Sequence, residues 1–342
     1  MFFDRTLVRD DPTNPLLPNT KILIILLQLY YDYIKVGILI YLCIMKNQLT
    51  HIINIPPFIH RIYNIENSNF FTKILIIFKG KISQFAINNL NGHLFCKFMN
   101  LFYGKYSRIY FDNKNYYKFI ANDKNIFYPN KRITRVISPK NFIFNNLYDS
   151  YCLYDINFEK NDLIVDCGAN IGELNFAFWI RGIEINYIGI EPETKTYDCL
   201  VRNKLRDSDV FYNFALSNKN GFEKLYLDSL GGNSSVVYFG KDSFESVETK
   251  TLDSIKFDKE IKLLKLEAEG FEPEILTGGL KTLSKVEYVA VDFGSERGIE
   301  EKNTTAEVNE ILYSNYFKLI TYSEIRQVGL YINSRFKKKN EI

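Results

Sequence analysis

The 342-residue chain is 46% hydrophobic and carries a net charge of +3, ordinary values for a globular protein with a sizeable core in one large domain or two smaller ones. Its five cysteines, Cys43, Cys96, Cys152, Cys167 and Cys199, are scattered and form no C-x-x-C pair. That argues against a disulfide framework or a zinc site, and it fits a reducing compartment, so a cytoplasmic protein is expected.

The charge is unevenly placed. Residues 1–150 hold 19 Lys and Arg against 8 Asp and Glu, whereas residues 151–342 hold 24 against 32. A basic half can meet anionic lipid, nucleic acid, an acidic partner or the acidic half of its own chain. The opening "MFFDRTLVRDDPTNPLLPNTK" has acids and prolines where a secretion signal needs a basic lead and an apolar run, and none is expected. Next comes an apolar segment, Ile22 to Ile44, long enough to span a bilayer. Its polar residues Gln28, Asp32 and Lys35 fall on one helical stripe. A buried helix, peripheral contact with the inner membrane face and a true span are all open for it, the last at a cost of about 2.5–3.5 kcal/mol per charge.

Residues 45–100 alternate apolar runs with Asn, Pro and Gly breaks, and "FTKILIIFKGKI" around Ile76 fits helix or strand. "SRIYFDNKNYYKFI" and "KRITRVI" predict short strands between Asp-Asn and Pro-Asn turns. Lys131, Arg132 and Arg135 are expected to be solvated strand positions, guidance of an anionic substrate being the alternative. The organisation expected is an apolar, basic, mainly helical region over 1–105, a short β segment over 106–150, and a larger domain over 151–342.

From Asp162 onward the pattern is regular. Strands are predicted at Leu163–Asp166, Tyr187–Glu191, Val210–Leu216, Leu263–Glu267 and Tyr288–Phe293, with a closing pair in "KLITY" and "GLYIN". Helices are predicted from Gly172 to Arg181, Lys195 to Leu205, Pro273 to Leu283 and Thr305 to Tyr316. The alternation means an α/β fold with a mostly parallel sheet, in which ligands bind beyond the carboxyl ends of the strands.

The stretch "LIVDCGANIGEL", Leu163 to Leu174, ends a strand in an acid and turns through spaced glycines into a helix. Gly168 allows a turn other residues resist, and Gly172 allows close approach at a helix start whose free N–H groups attract anions. Asp166 can accept from a ligand amine, and Asn170 can donate and accept. Glu191 ends the second strand, where an acid can take both hydroxyls of a ribose. The glycines read G-x-x-x-G rather than G-x-G-x-x-G, so an amine-bearing ligand such as S-adenosylmethionine suits the loop better than a dinucleotide.

In these stretches the chain resembles the FkbM family of S-adenosylmethionine-dependent methyltransferases. The likeness rests on "VDCGANIGE", "GIEP", "ALSNKNG", the pair Ser234–Ser235, "ETKTLDSI" and "LLKLEAEGFEPEIL", in the family's order, and covers about Tyr151 to Asn333. It implies a Rossmann-like class I methyltransferase fold with seven strands, the last pair including an antiparallel one. It also implies that Asp166, Gly168, Asn170 and Gly172 hold the methionine end of S-adenosylmethionine, Glu191 the ribose, and Asn213 and Ala215 the adenine. Family members are similar to O-methyltransferases acting on sugar or polyketide hydroxyls. The family pattern Lys-x-Asp-x-Glu-Gly reads here Lys265-Leu266-Glu267-Ala268-Glu269-Gly270, with Glu267 in place of Asp.

Methyl transfer to an alcohol needs alignment and a base. All three histidines, His51, His60 and His93, precede the methyltransferase-like part. The base is therefore expected among Glu267, Glu269, Asp292 or a deprotonated Lys265, unless a histidine reaches in. Lys265 and Glu267 share one side of their strand at its carboxyl end. No metal site is demanded by spacing, although Glu267, Glu269 and Asp292 could together hold a cation. Asp253 reads as a helix cap, and Glu272 and Glu274 as acids at a helix start. The expected partner is a small-molecule or glycan acceptor, with no nucleic acid. A nicotinamide-dependent oxidoreductase and a non-catalytic, membrane-associated nucleoside-binding module are the competing readings.

Overall fold

In the computed structural model the described residues are 55–65, 67–121, 124–139, 141–228, 232–323 and 326–337. The apolar segment Ile22–Ile44 and His51 lie outside them. None of the described helices is long and apolar enough to cross a membrane. The chain divides into a smaller unit, with described residues 55–59 and 63–84, and a larger one, 60–62 and 85–337.

Helix α1 is Pro57–Ile62, with proline at its first position, where the missing N–H costs nothing. Helix α2, Phe70–Asn89, resolves the ambiguity around Ile76 in favour of a 20-residue helix. Within the smaller unit Gly80 lets Ile55 approach, since a Cβ there would lie 2.6 Å from Ile55 Cγ2.

Helix α3, Gly92–Tyr103, buries Phe95, Cys96, Met99 and Tyr103. Strands β1 (Tyr110–Phe111), β2 (Tyr116–Ala121) and β3 (Lys124–Tyr128) form an antiparallel sheet in that order. The strand predicted in "KRITRVI" is instead a 3-10 helix, Lys131–Val136. Asn130 Oδ1 accepts from Arg132 N at 2.9 Å and starts the turn, a local side-chain bond that competes with a strand. Helix α4, Phe142–Ser150, follows.

The remaining elements are β4 (Asp162–Cys167), α5 (Glu173–Ile180), β5 (Ile185–Ile190), α6 (Thr194–Arg202), β6 (Val210–Tyr212), β7 (Ala215–Leu216), β8 (Gly221–Tyr226), β9 (Phe244–Lys250), β10 (Ile261–Leu266), α7 (Glu272–Thr277), β11 (Val286–Asp292), α8 (Thr305–Ser314), β12 (Phe317–Ser323), β13 (Val328–Asn333) and α9 (Ser334–Lys337). Seven of the strands form one sheet in the order β12-β13-β11-β10-β4-β5-β6. Counted along the chain within that sheet, the order is 3-2-1-4-5-7-6. Strand β13 runs antiparallel to both its neighbours, and the other pairs are parallel. The central strands are buried on both faces, which is why β4 and β10 carry adjacent apolar residues, Leu163–Val165 and Leu263–Leu264, with no inside-outside alternation there. Leu264, Leu266, Val289 and Val291 pack with Ile275, Leu276 and Leu312. Phe144 of α4 stacks on Phe176 of α5, ring centroids 5.7 Å apart.

Two predicted elements divide. The strand expected over Val210–Leu216 splits into β6, in the large sheet, and β7, in a side sheet ordered β7-β9-β8. Asn213 makes the break by donating Nδ2 to the Glu191 and Pro192 carbonyls, 3.0 Å each. The helix expected over Pro273–Leu283 ends at Thr277 and resumes as a 3-10 turn, Thr282–Lys285. Gly278 sits against the chain at the break, where a Cβ would lie 2.1 Å from the Ser217 carbonyl oxygen. Asp253 caps that second turn, accepting from Lys281 N, Thr282 N and Thr282 Oγ1 at 2.7–3.1 Å.

Candidate functional site

Strand order reverses between β4 and β10, and a cavity of about 540 Å³ opens beyond their carboxyl ends. The turn after β4 forms its floor. Gly168 has φ +71°, and a Cβ there would lie 1.9 Å from the Glu267 carbonyl oxygen, so only glycine fits. Asn170 (φ +50°) and Gly172 (φ +88°) are also left-handed. Glu191, just beyond β5, ties this turn down: one carboxylate oxygen accepts Asn170 N and the other Glu193 N, each at 2.9 Å. Burial raises the Glu191 carboxyl to about 7 against the pull of those amides.

At the centre lies Lys265, 3% exposed. Its Nζ is 2.9 Å from Asp166 Oδ1, 3.0 Å from Glu267 Oε2 and 2.9 Å from the Gly168 carbonyl. The Cys167 carbonyl lies at 3.3 Å as well, so every N–H of Lys265 has an acceptor within reach. The other Asp166 oxygen takes a short bond from the Tyr187 hydroxyl. Glu267 Oε2 also accepts Tyr151 Oη at 2.6 Å, while Oε1 pairs closely with Arg326. The same guanidinium gives Nε to Asp292 Oδ2 at 3.0 Å.

Three further acids face the cavity. Asp292 ends β11, 5% exposed; burial, with Glu296 nearby, pushes it up to about 7. Glu269 (φ +51°) is raised to about 9 by burial and by Glu296, with which it shares a hydrogen bond. Burial raises Glu296 as well. These two carboxyls hold a proton between them at neutral pH.

The predicted residues thus converge unequally. Asp166, Gly168, Asn170, Glu191, Ala215, Lys265, Glu267 and Glu269 all line the cavity. Asn213 stands behind the wall, supporting the Glu191–Pro192 carbonyls, and Gly172 acts at the start of α5. Glu272 accepts Ala268 N and Gly270 N ahead of α7, and Glu274 pairs with Arg297 at 2.5 Å. Among the described residues no histidine lines the cavity, and no group of three His, Cys, Asp or Glu could hold a metal. Tyr151, Tyr187, Glu296 and Arg326 were not singled out by the sequence. Arg132 and Arg135, expected in solvent, face the cavity from the 3-10 helix. The sign for them was the run Lys131-Arg132-x-x-Arg135, which puts both arginines on one side of a helical turn but not of a strand.

Strand order, the single reversed strand and a cavity at the first βα turn define a class I methyltransferase fold. Residues 166–319 match the methyltransferase FkbM domain, and the likeness supports an S-adenosylmethionine-dependent methyltransferase. The nicotinamide reading is thereby set aside. The chain is 28% identical over 177 residues to the methyltransferase sdnD of Sordaria araneosa, spanning 40% of this chain and 68% of that one. It is 24% identical over 176 residues to the hexuronic acid methyltransferase AglP of Haloferax volcanii, spanning 50% and 71%. A SAM-dependent methyltransferase from Aquifex aeolicus aligns over 53% of this chain and 86% of its own, at 17% identity and a TM-score of 0.33.

Proposed function

We propose that the chain methylates an oxygen of a saccharide or related polyhydroxylated acceptor. The observation that carries this is the polar end of the cavity beside Lys265. There Glu267, Glu269, Asp292, Glu296 and Arg326 offer carboxylates, a protonated acid and a guanidinium within one enclosure. Such a ring suits many hydroxyls and little apolar surface. The likeness to a hexuronic acid methyltransferase supports the same acceptor class.

The donor set fits S-adenosylmethionine. Gly168 lets the turn lie tight against the Glu267 carbonyl and so form the cavity floor, and Glu191 keeps lone pairs beyond its two amide bonds. Glu191 would accept the ribose hydroxyls, and Asp166 and Asn170 would face the amino-acid end. Bound there, the cofactor supplies a methyl group already activated on a sulfonium. Lys265 is a positioning residue: it clamps Asp166, Glu267 and the Gly168 carbonyl into one rigid unit. Glu267 is held by Lys265, Tyr151 and Arg326, so both its carboxylate oxygens are already engaged. Asp292, with a pKa near neutrality, is the group matched to taking a hydroxyl proton.

The test is transfer of a labelled methyl group from S-adenosylmethionine to neutral and uronic-acid-bearing oligosaccharides, with mass spectrometry locating the product. Methyl ethers or esters on sugar oxygens are the expected result. Methylation confined to RNA or to nitrogen would overturn the acceptor class.

A further inference from the structure

Arg132 stands out because one of its guanidinium nitrogens has no partner. Its Nη1 is buried, lines the cavity and has no hydrogen-bond partner. One neighbouring carboxylate, Glu173, is spent elsewhere: one oxygen takes Tyr128 Oη at 2.6 Å and the other pairs with Arg135 at 3.1 Å. Arg61 adds a further cation, donating to the Arg135 carbonyl at 3.3 Å. Glu269 also faces Arg132, but it shares a proton with Glu296, which reduces its charge. A buried guanidinium N–H with nothing to donate to costs a few kcal/mol, so such groups are kept where an anion arrives.

Where Arg132 points identifies the anion. A Cβ built on Gly232 would lie 1.6 Å from Arg132 Nη1 and 3.2 Å from Asn170 Nδ2, so the guanidinium packs against a residue that has no side chain, with the Asn170 amide close by, and both residues line the cavity. The amide of Asn170 is oriented, because its Oδ1 accepts Ile171 N at 2.9 Å. A cationic donor and an amide donor lining the cavity side by side at the Gly168–Gly172 turn suit a carboxylate.

We infer that Arg132 and Asn170 together bind the carboxylate at the methionine end of S-adenosylmethionine. This rests on the reading that the cofactor lies over the Gly168–Gly172 turn. Arg132 lies outside the matched residues 166–319, so the segment before the family domain completes the cofactor site.

The test is calorimetric. Wild-type chain and the variants Arg132→Met, Arg132→Lys and Gly232→Ala are titrated with S-adenosylhomocysteine and with its decarboxylated analogue. The Gly232 variant displaces the guanidinium while leaving the buried charge in place. Arg132→Met and Gly232→Ala are expected to weaken S-adenosylhomocysteine roughly 10- to 100-fold, the loss of one charged hydrogen bond, and to leave the analogue unchanged. Arg132→Lys is expected to lose less. Equal weakening of both ligands would make Arg132 a structural wall and sink the inference. Unchanged cofactor affinity with a raised acceptor KM would assign Arg132 to an acidic group on the acceptor instead. If the wild-type chain binds neither ligand, it is the placement of the cofactor that fails.

Discussion

Lys265 Nζ lies 2.9 Å from Asp166 Oδ1 at the point where β10 and β4 run side by side. Both residues are almost fully buried, so each ion is the main counterweight to the other's lost hydration. Lys265→Met leaves Asp166 uncompensated and is expected to cost about 3–5 kcal/mol, measured by urea denaturation. The double variant Lys265→Met, Asp166→Asn should recover a large part of that loss yet bind no S-adenosylhomocysteine. If the double variant is no more stable than the single one, the pair is not the coupled unit described.

Gly168 and Gly182 offer a matched comparison. Their φ values are +71° and +70°, but a Cβ at 168 meets the Glu267 carbonyl at 1.9 Å, and at 182 it meets nothing within 4 Å. Gly182→Ala should therefore cost only the left-handed backbone penalty, about 1–2 kcal/mol. Gly168→Ala should cost clearly more and weaken S-adenosylhomocysteine at least tenfold, about 1.4 kcal/mol. Similar melting points for the two variants would contradict the close approach of β10 to this turn.

The central strands were legible because a doubly buried parallel strand leaves a compact, mostly apolar run, as "LLKL" at Leu263–Leu266 shows. The turn was legible because backbone crowding demands glycine at Gly168. What did not show was anything set by contacts distant in sequence. Tyr151 reaches Glu267 across 116 positions and Arg326 reaches it across 59, and neither residue carries a periodic or motif signal. Asn213 and Asn130 defeated the predicted strands for a related reason: a single side-chain amide captured backbone groups that propensity assigned to a sheet.

Glu191 gives the stability a pH dependence of defined sign. Its folded value of about 7 lies above the unfolded value of roughly 4.3. Protonation therefore favours the folded state. The contribution is fully present below the unfolded value and is lost as pH rises through about 7. Relative to Glu191→Gln, the wild-type chain without ligand should lose on the order of 3 kcal/mol between pH 4 and pH 8. Ribose hydroxyls donate to the ionised form, so S-adenosylhomocysteine should bind the wild type more tightly as pH rises through 7. The Gln variant should bind weakly and without that dependence. Thermal melts and titrations across this range test both halves.

Asp292 is expected to set the acid limb of catalysis. With its carboxyl near 7, kcat/KM on the saccharide acceptor should rise with pH and level off above neutrality, because the base acts deprotonated. Asp292→Asn should lower kcat by roughly 10²- to 10⁴-fold while leaving S-adenosylhomocysteine affinity unchanged. A low rate alone would not separate a base from an anchor for Arg326, which Asp292 also holds at 3.0 Å. Glu296 separates them. Its charge raises the Asp292 pKa, so Glu296→Gln should move the acid limb to lower pH with a retained plateau rate. A limb that stays where it was would leave Asp292 as a support for Arg326, and proton removal would then belong to Glu267.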